Sequence, residues 1–316
     1  MNAVGIYISR GKSMVAVLRP FGEVVMLPFE VKHSNSELLA LAEQLKSIDG
    51  ETRVAMEHTG RYYEPVANVL HNSGLFVSTV NPLLIKEYGG NSLRKVKTDK
   101  ADAQKIARYT LDNWAELRNY TPMDTVRYNL KTLNRQFNLA SKQKTASANN
   151  LIALLEQTFP GIRKCFDSPV RNDGSQKWVD FVITFWHADC VRKYSKEAFT
   201  ERYRKWCKRH GYLVRSNTVQ EVYTLAQNAV VLVPKSQTAK VIIVEAAKQL
   251  TAISRSVELY RSEMNRLAEM LPEYPVVMQM FGVGSTFGPQ LIAEIGDVRR
   301  FARKQSLVAF AGIDPA

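Results

Sequence analysis

Cysteine is scarce, with only Cys165, Cys190 and Cys207 in 316 residues. Three thiols are too few, and too odd in number, for a disulfide framework, so a reducing cytoplasm is the expected compartment. Long apolar runs are missing as well. No stretch approaches the roughly 18 uninterrupted apolar residues of a membrane span, and no membrane partner is expected. The opening MNAVGIYISRG has neither the apolar core nor the cleavage pattern of a signal peptide and reads as a strand. Acid is the minority charge: 30 Asp and Glu stand against 43 Lys and Arg, for a net charge of +13. No Asp or Glu occurs before Glu23. Such an excess of base points to a polyanionic partner; a merely basic, solvated surface is the alternative. A hydrophobic content of 45% argues against disorder. The length accommodates two domains, each with its own core.

Residues 3–31 alternate and are rich in Val, Ile and Met, with turn signals at Arg10-Gly11-Lys12 and Pro20-Phe21-Gly22. They read as three strands in a meander. SNSELLALAEQLK at 34–46 opens on polar caps and then takes helical spacing. ETRVAMEH at 51–58 is a short strand, RYYEPVANVLHNSG is a helix stopped by Gly74, and LFVSTVNP at 75–82 is the next strand. Residues 98–113 return to helix. Three strands, helix, strand, helix, strand, helix is the order of a ribonuclease-H-like domain, one α/β option among several.

From 121 the pattern changes. Val126, Leu130, Leu133, Phe137 and Ala140 are spaced four, three, four, three, and Leu151 and Leu154 resume after a polar gap at Lys144 and Ser147. That is a coiled-coil seam. A second seam runs through Leu250, Ile253, Val257, Tyr260, Met264, Leu267 and Leu271. The two long helices either pack on each other, antiparallel, or pair between subunits. The expected divisions are 1–118, a coiled-coil helix at 119–159, a helical insert at 160–237, a second coiled-coil helix at 238–272 and a mainly α segment at 273–316.

Within the insert, Arg202, Arg204, Lys205, Lys208 and Arg209 surround Tyr203 and Trp206. Such a face can grip phosphates and stack on unpaired bases, or be a solvated basic helix. Near the end, Gly282-Val283-Gly284 precedes an apolar helix, resembling a helix-hairpin-helix turn whose free N–H groups would meet a phosphate. His187-x-x-Cys190 and Cys207-x-x-His210 have the look of two ligand pairs for a structural zinc; burial of the cysteines on helices is the simpler reading.

The acids carry the chemistry. Cleavage of a phosphodiester by two metals needs carboxylates converging from different elements, holding divalent ions about 4 Å apart. Glu57 closes a strand at its C-terminal end, where α/β sheets place ligands. Asp99 and Asp102, three apart at a helix start, can face one side. Both also suit a helix N-terminus for purely structural reasons.

GIYIS at 5–9, ExTGRYY at Glu57–Tyr63, VNP at 80–82 and KTDKADA at 97–103 together resemble the DEDD transposases of the IS-one-ten (IS110) family, relatives of the Piv DNA invertase. GVGSTFGPQLIAEIGD at 282–297 and LVAFAGIDP at 307–315 resemble that family's second domain. The resemblance implies a RuvC-like, ribonuclease-H-like domain with four acids that bind Mg²⁺, and a mainly α transposase domain with a nucleophilic serine. It implies assembly into a homo-oligomer, dimer or tetramer, and a prokaryotic, nucleoid-associated setting. It further implies DNA cleavage and strand exchange at insertion-sequence ends, guided by a structured non-coding bridge RNA. Carried over by position, Glu57, Asp99 and Asp102 match three of the acids. Gly60, Arg61 and Tyr62 match the turn after the glutamate. Arg61, Arg94, Lys95, Lys97, Lys100, the 202–209 cations, Gly282 and Gly284 are the expected nucleic-acid contacts.

Two departures stand out. The first acid falls at Tyr7, and a phenol with a pKa near 10 is a poor Mg²⁺ ligand at neutral pH. The serine lies beyond Gly312-Ile313-Asp314-Pro315, where the sequence stops, and Ser285 and Ser306 are in the wrong place; truncation is the expectation. The alternative to an active recombinase is therefore a catalytically inactive DNA- or RNA-binding relative.

Overall fold

The computed structural model describes residues 1–58, 60–88 and 98–313. These form two compact units, 1–122 and 123–316.

The first unit is built on a five-stranded sheet. β1 (Asn2–Ser9), β2 (Lys12–Leu18) and β3 (Val24–Lys32) form the expected antiparallel meander. β4 (Thr52–Glu57) and β5 (Phe76–Val80) add on the other side of β1, both parallel. The order is β3-β2-β1-β4-β5. β1 is the middle strand, buried from Asn2 to Ile6, which explains its unbroken apolar run.

Alternation divides each strand between two layers. Val4, Ile6, Val54, Met56 and Val77 share one core with Leu38, Leu41 and Leu45 of α1 (Asn35–Lys46) and with Val66 and Leu70 of α2 (Tyr63–Asn72). Ala55 and Val80 face the other way. They share a core with Ile85 of the short α3 (Pro82–Glu87) and Ile106 of α4 (Asp99–Asp112). Of these elements only α3 was not legible in the residue pattern. The observed order of strands and helices is the one expected for a ribonuclease-H-like domain.

The second unit is helical. α5 (Thr125–Thr158) and α10 (Gln237–Ala268) are the two long helices, and they pack on each other within the chain. Leu130 and Phe137, early in α5, share a core with Val257, Met264 and Leu267, late in α10. Leu151 and Leu155, late in α5, share one with Ile243 and Leu250, early in α10. The pair is therefore antiparallel. After the polar gap the seam shifts by one residue: Leu155 is buried and Leu154 only partly so.

Between the long helices lie α6 (Lys177–Thr184), α7 (Asp189–Arg192), α8 (Lys196–His210) and α9 (Ser216–Asn228). Their core is aromatic, with Phe181 at the centre of Phe166, Phe185, Tyr203 and Trp206. The chain returns from this module to the point where it left. The backbone N–H groups of Leu232 and Val233 both donate to Gln157 O at 3.0 Å. α11 (Tyr274–Met278), α12 (Phe287–Ile295) and α13 (Lys304–Phe310) close the unit. Arg127 of α5 is buried and grips Glu273 with one nitrogen, at 2.6 and 2.8 Å, and Asp124 with another, at 2.8 Å. Among the described residues no helix is long and apolar enough to cross a membrane.

Candidate functional site

β1 and β4 run parallel with Gly5 opposite Ala55 and Ile6 opposite Met56. Two residues on from Gly5 is Tyr7, and two on from Ala55 is Glu57. Both therefore point to the layer covered by α4. Gly5 makes the cover close. A Cβ there would meet Ala103 O and Ala107 N of α4 well inside contact distance. With no side chain at Gly5, the helix backbone lies on the strand backbone.

That contact sets the first turn of α4 over Tyr7. Thr98 caps the helix, its hydroxyl accepting from Ala101 N at 3.2 Å. Asp99 and Asp102 follow in the first turn, Asp99 exposed and Asp102 half-buried. The helix dipole favours both there, so the placement serves fold and site alike. The convergence appears at Tyr7 itself. Burial pushes its hydroxyl above the ordinary tyrosine value, and the negative charges of Asp99, Asp102 and Glu57 push the same way, opposed by a hydrogen bond with the Ser9 side chain. The phenol therefore feels acids from two elements, Glu57 on the sheet and Asp99 and Asp102 on α4. Lys12, at the end of the β1–β2 hairpin, is paired with Glu30 at 2.7 Å and also feels Asp99.

Oxygen donors of this kind suit a hard divalent cation. Among the described residues, however, no three His, Cys, Asp or Glu side chains stand close enough together to hold one ion. Asp99 and Asp102 share one helical turn; Glu57 comes from the sheet beside Tyr7.

Of the expected nucleic-acid contacts, Lys100 is exposed beside the acids, and Arg61 is half-buried at the turn before α2. Arg94, Lys95 and Lys97 lie outside the described residues. In the second unit Arg202, Arg204, Lys205, Lys208 and Arg209 are all exposed along α8. Arg202 lies over the Tyr194 ring at 4.4 Å, which it shares with Lys193 at 4.9 Å, and Lys205 reaches Glu201 at 3.6 Å. The stacking expectation fails. Tyr203 is 0% exposed and Trp206 5%, both inside the aromatic core. Their spacing of three along α8 puts them on its buried face, with the cations on the other.

Gly282 turns the chain with φ +80°, and Gly284 O accepts from Gly288 N at 2.9 Å as α12 begins. No atom would meet a Cβ on either Gly282 or Gly284, so both backbones are open to an approaching group. Phe281 beside them is fully exposed. The four residues considered for zinc are otherwise engaged. His187 is buried, its Nδ1 accepting from Asp189 N and its Nε2 within hydrogen-bond distance of Val233 O, both at 3.1 Å. Cys190 and Cys207 are buried in the module core, and His210 stacks beside Trp206 and Tyr212. With both ring nitrogens of His187 occupied, the zinc reading falls. The sequence reading missed Gly5, whose only signal is a glycine inside an otherwise apolar strand.

Known proteins resemble the chain in two places. A family model for DEDD transposases of the IS110 type, described as a transposase, matches residues 4–160. A second, described as the transposase IS116/IS110/IS902 family, matches 274–316. The insertion element IS110 43.6 kDa protein of Streptomyces coelicolor is 22% identical over 298 residues, covering 94% of this chain and 72% of its own. The insertion element IS116 44.8 kDa protein of Streptomyces clavuligerus is 21% identical over 316 residues, covering 99% and 75%. Among solved structures, T. thermophilus RuvC in complex with a Holliday junction substrate is similar at 15% identity and a TM-score of 0.28, over 37% of this chain and 96% of RuvC.

Proposed function

The chain belongs to the IS110 family of transposases, and on that premise we propose that it acts on the DNA of insertion-sequence ends and their targets, with a structured non-coding RNA choosing the sequence. The observation that supports the reading is the close approach of α4 to β1 at Gly5, which sets Asp99 and Asp102 in the first turn of the helix that covers the sheet face of Glu57. A net charge of +13 supports a nucleic-acid partner. A homo-oligomer in the prokaryotic cytoplasm, at the nucleoid, completes the proposal.

The donor set fits a divalent cation, Mg²⁺ by its preference for carboxylate and water oxygen. Asp99 and Asp102 would hold it from the helix, with Glu57 on the sheet side. Bound there, it would supply Lewis-acid chemistry at a phosphate. The chain's own groups do the rest. Lys100 draws the DNA backbone toward the acids. The cations of α8 hold phosphates without reading bases, since Phe199, Tyr203 and Trp206 of that helix are all buried. The open backbone at Gly282 and Gly284 receives a further phosphate at the start of α12. Neither Ser285 nor Ser306 is assigned the role of the serine implied by the family.

The test is cleavage and strand transfer with element-end DNA, the flanking non-coding RNA and Mg²⁺. Glu57→Gln is expected to remove metal-dependent cleavage and leave nucleic-acid binding intact. Cleavage unchanged by that substitution overturns the assignment.

Tyr7 favours a second reading, a family member that binds DNA or RNA without cutting it. In that case binding is the same with and without Mg²⁺, and no cleavage appears until Tyr7→Asp is introduced.

A further inference from the structure

We propose that the groove between α9 and the 3₁₀ turn Ile162–Cys165 binds a ribonucleotide, with its phosphate seated on the first turn of α9. The groove belongs to the helical unit and lies outside the two stretches matched to the family, 4–160 and 274–316. It is independent of the DNA-cutting role proposed above.

Two cavities, of about 550 and 620 Å³, share Lys164, Cys165 and Glu221 and so form one continuous groove. Their size suits a small organic ligand. Their linings differ. The smaller is mostly polar and takes in Asp167, Arg215 and the start of α9. The larger is mostly apolar and runs past Gly161 and Leu225. Burial, then Glu221, pushes the Cys165 thiol up to about 11, so it lines the boundary as a neutral group.

The polar half is built for an anion. Arg215 stands at the cap position of α9, and a guanidinium cannot accept a hydrogen bond. The N–H groups of Ser216, Asn217 and Thr218 have no partner among the described residues. The Thr218 side chain is a separate sign. Thr218 is 9% exposed, lines the cavity, and its hydroxyl makes no hydrogen bond among the described residues. A hydroxyl so enclosed needs a partner, and the cavity is where one can enter. Lys164 and Arg215 add two positive charges, neither held in an ion pair among the described residues. A phosphate there meets three N–H groups, a hydroxyl and two cations.

Asp167 and Glu221 define the rest of the ligand. Both are exposed on the same cavity, also without an ion pair among the described residues. They would repel a bare phosphate. Beside a bound phosphate they can accept from sugar hydroxyls, as an acid holds the ribose where a dinucleotide's pyrophosphate sits on a helix N-terminus. Ribose offers a 2′-hydroxyl that deoxyribose lacks. The apolar half, past Leu225, receives the base.

The experiment is calorimetric titration of the full chain with adenosine 5′-monophosphate, its 2′-deoxy counterpart and inorganic phosphate, with no DNA or metal present. The ribonucleotide is expected to bind about three- to tenfold more tightly than the deoxy form, with inorganic phosphate weakest. Thr218→Val, close in shape, should weaken it by about the same factor. Lys164→Ala with Arg215→Ala should cost about a hundredfold. Asp167→Ala with Glu221→Ala should erase the preference for ribose. Circular dichroism checks that each variant is folded. A trinucleotide of adenosine ribonucleotides separates two sources of the ligand. Tighter binding than the monophosphate, lost with Lys164 and Arg215, makes the occupant part of an RNA strand; binding no tighter makes it a free nucleotide. Both results keep the site. Equal affinity for the ribo and deoxy forms overturns the proposal. So does the absence of saturation at millimolar concentration of every ligand, or affinity unchanged by Thr218→Val and by the Lys164, Arg215 pair. None of these results touches the acidic centre, whose test is cleavage.

Discussion

Gly5 and Ala107 touch through their backbones. A Cβ on Gly5 would stand 2.9 Å from Ala107 Cα and nearer still to its nitrogen. This approach is what lays α4 on β1 and brings two aspartates to Tyr7. Gly5→Ala forces the helix off the strand. Overpacking of this kind costs about 1–3 kcal/mol, and because the obstacle is backbone, the upper end is expected. Urea denaturation is the check, with a lower midpoint and an unchanged slope. Mn²⁺ uptake by the folded variant should weaken too, since the same contact sets the position of the acids. Unchanged stability would show that α4 does not need the close approach.

Tyr203 and the cations of α8 should part company under substitution. Tyr203→Ala removes a fully buried ring, and a loss of about 3–5 kcal/mol is expected, as for other large core aromatics. Arg204, Lys208 and Arg209 changed to Ala should leave stability within about 0.5 kcal/mol. They should instead weaken nucleic-acid binding and flatten its salt dependence, by about 0.9 in log–log slope for each duplex phosphate no longer neutralised. Filter binding across a salt series measures this. An unchanged slope would mark α8 as a solvated face.

Arg127 sits 8% exposed between Asp124 and Glu273, and Glu273 itself is 17% exposed. Glu273→Gln leaves a buried guanidinium with one carboxylate. Removing a partner from a buried pair costs about 3–5 kcal/mol, and the low end is expected because Asp124 remains. The melting transition of the helical unit should fall accordingly. A shift within error would mean that the pair contributes little beyond packing.

Tyr88 supplies a pH test. Its hydroxyl donates to Asp112 at the end of α4. Burial first, then that bond, pushes its pKa up to about 12. The unfolded value is near 10. A raised folded value means that the contribution is complete below pH 10 and is lost as pH climbs from there through 12. Comparing wild type with Tyr88→Phe in urea at pH 8 and at pH 11 isolates it. The wild-type advantage should shrink at the higher pH. A constant difference would show that the bond does not shift the titration.

The sheet unit was legible because alternation and turn residues acted together. Val4, Ile6, Val54 and Met56 announce their face by spacing alone, and Gly74 ends its helix where a left-handed residue is required. The two seams were legible as helices, but no heptad count could say whether Leu130 meets Met264 within one chain or across two. That depends on how residues 159–236 route the chain. Tyr203 and Trp206 misled for a simple reason: residues three apart on a helix share a face, and the spacing does not say whether that face is inside. The acids were legible as types. Their meeting point depended on Gly5, a residue with no side chain to draw attention.

The double bond from Leu232 and Val233 to Gln157 means that the chain re-enters the long-helix pair within one residue's width of its exit. In topological terms the stretch from 160 to 235 is an insertion looped out of the helix pair, seated on it through a core shared with Leu151, Leu155, Ile243 and Leu250. Closing so short a gap needs only a tight reverse turn, and the entropic cost of closure grows slowly with the number of residues looped out. The length looped out can vary at small entropic cost, provided the replacement still covers Leu151, Leu155, Ile243 and Leu250.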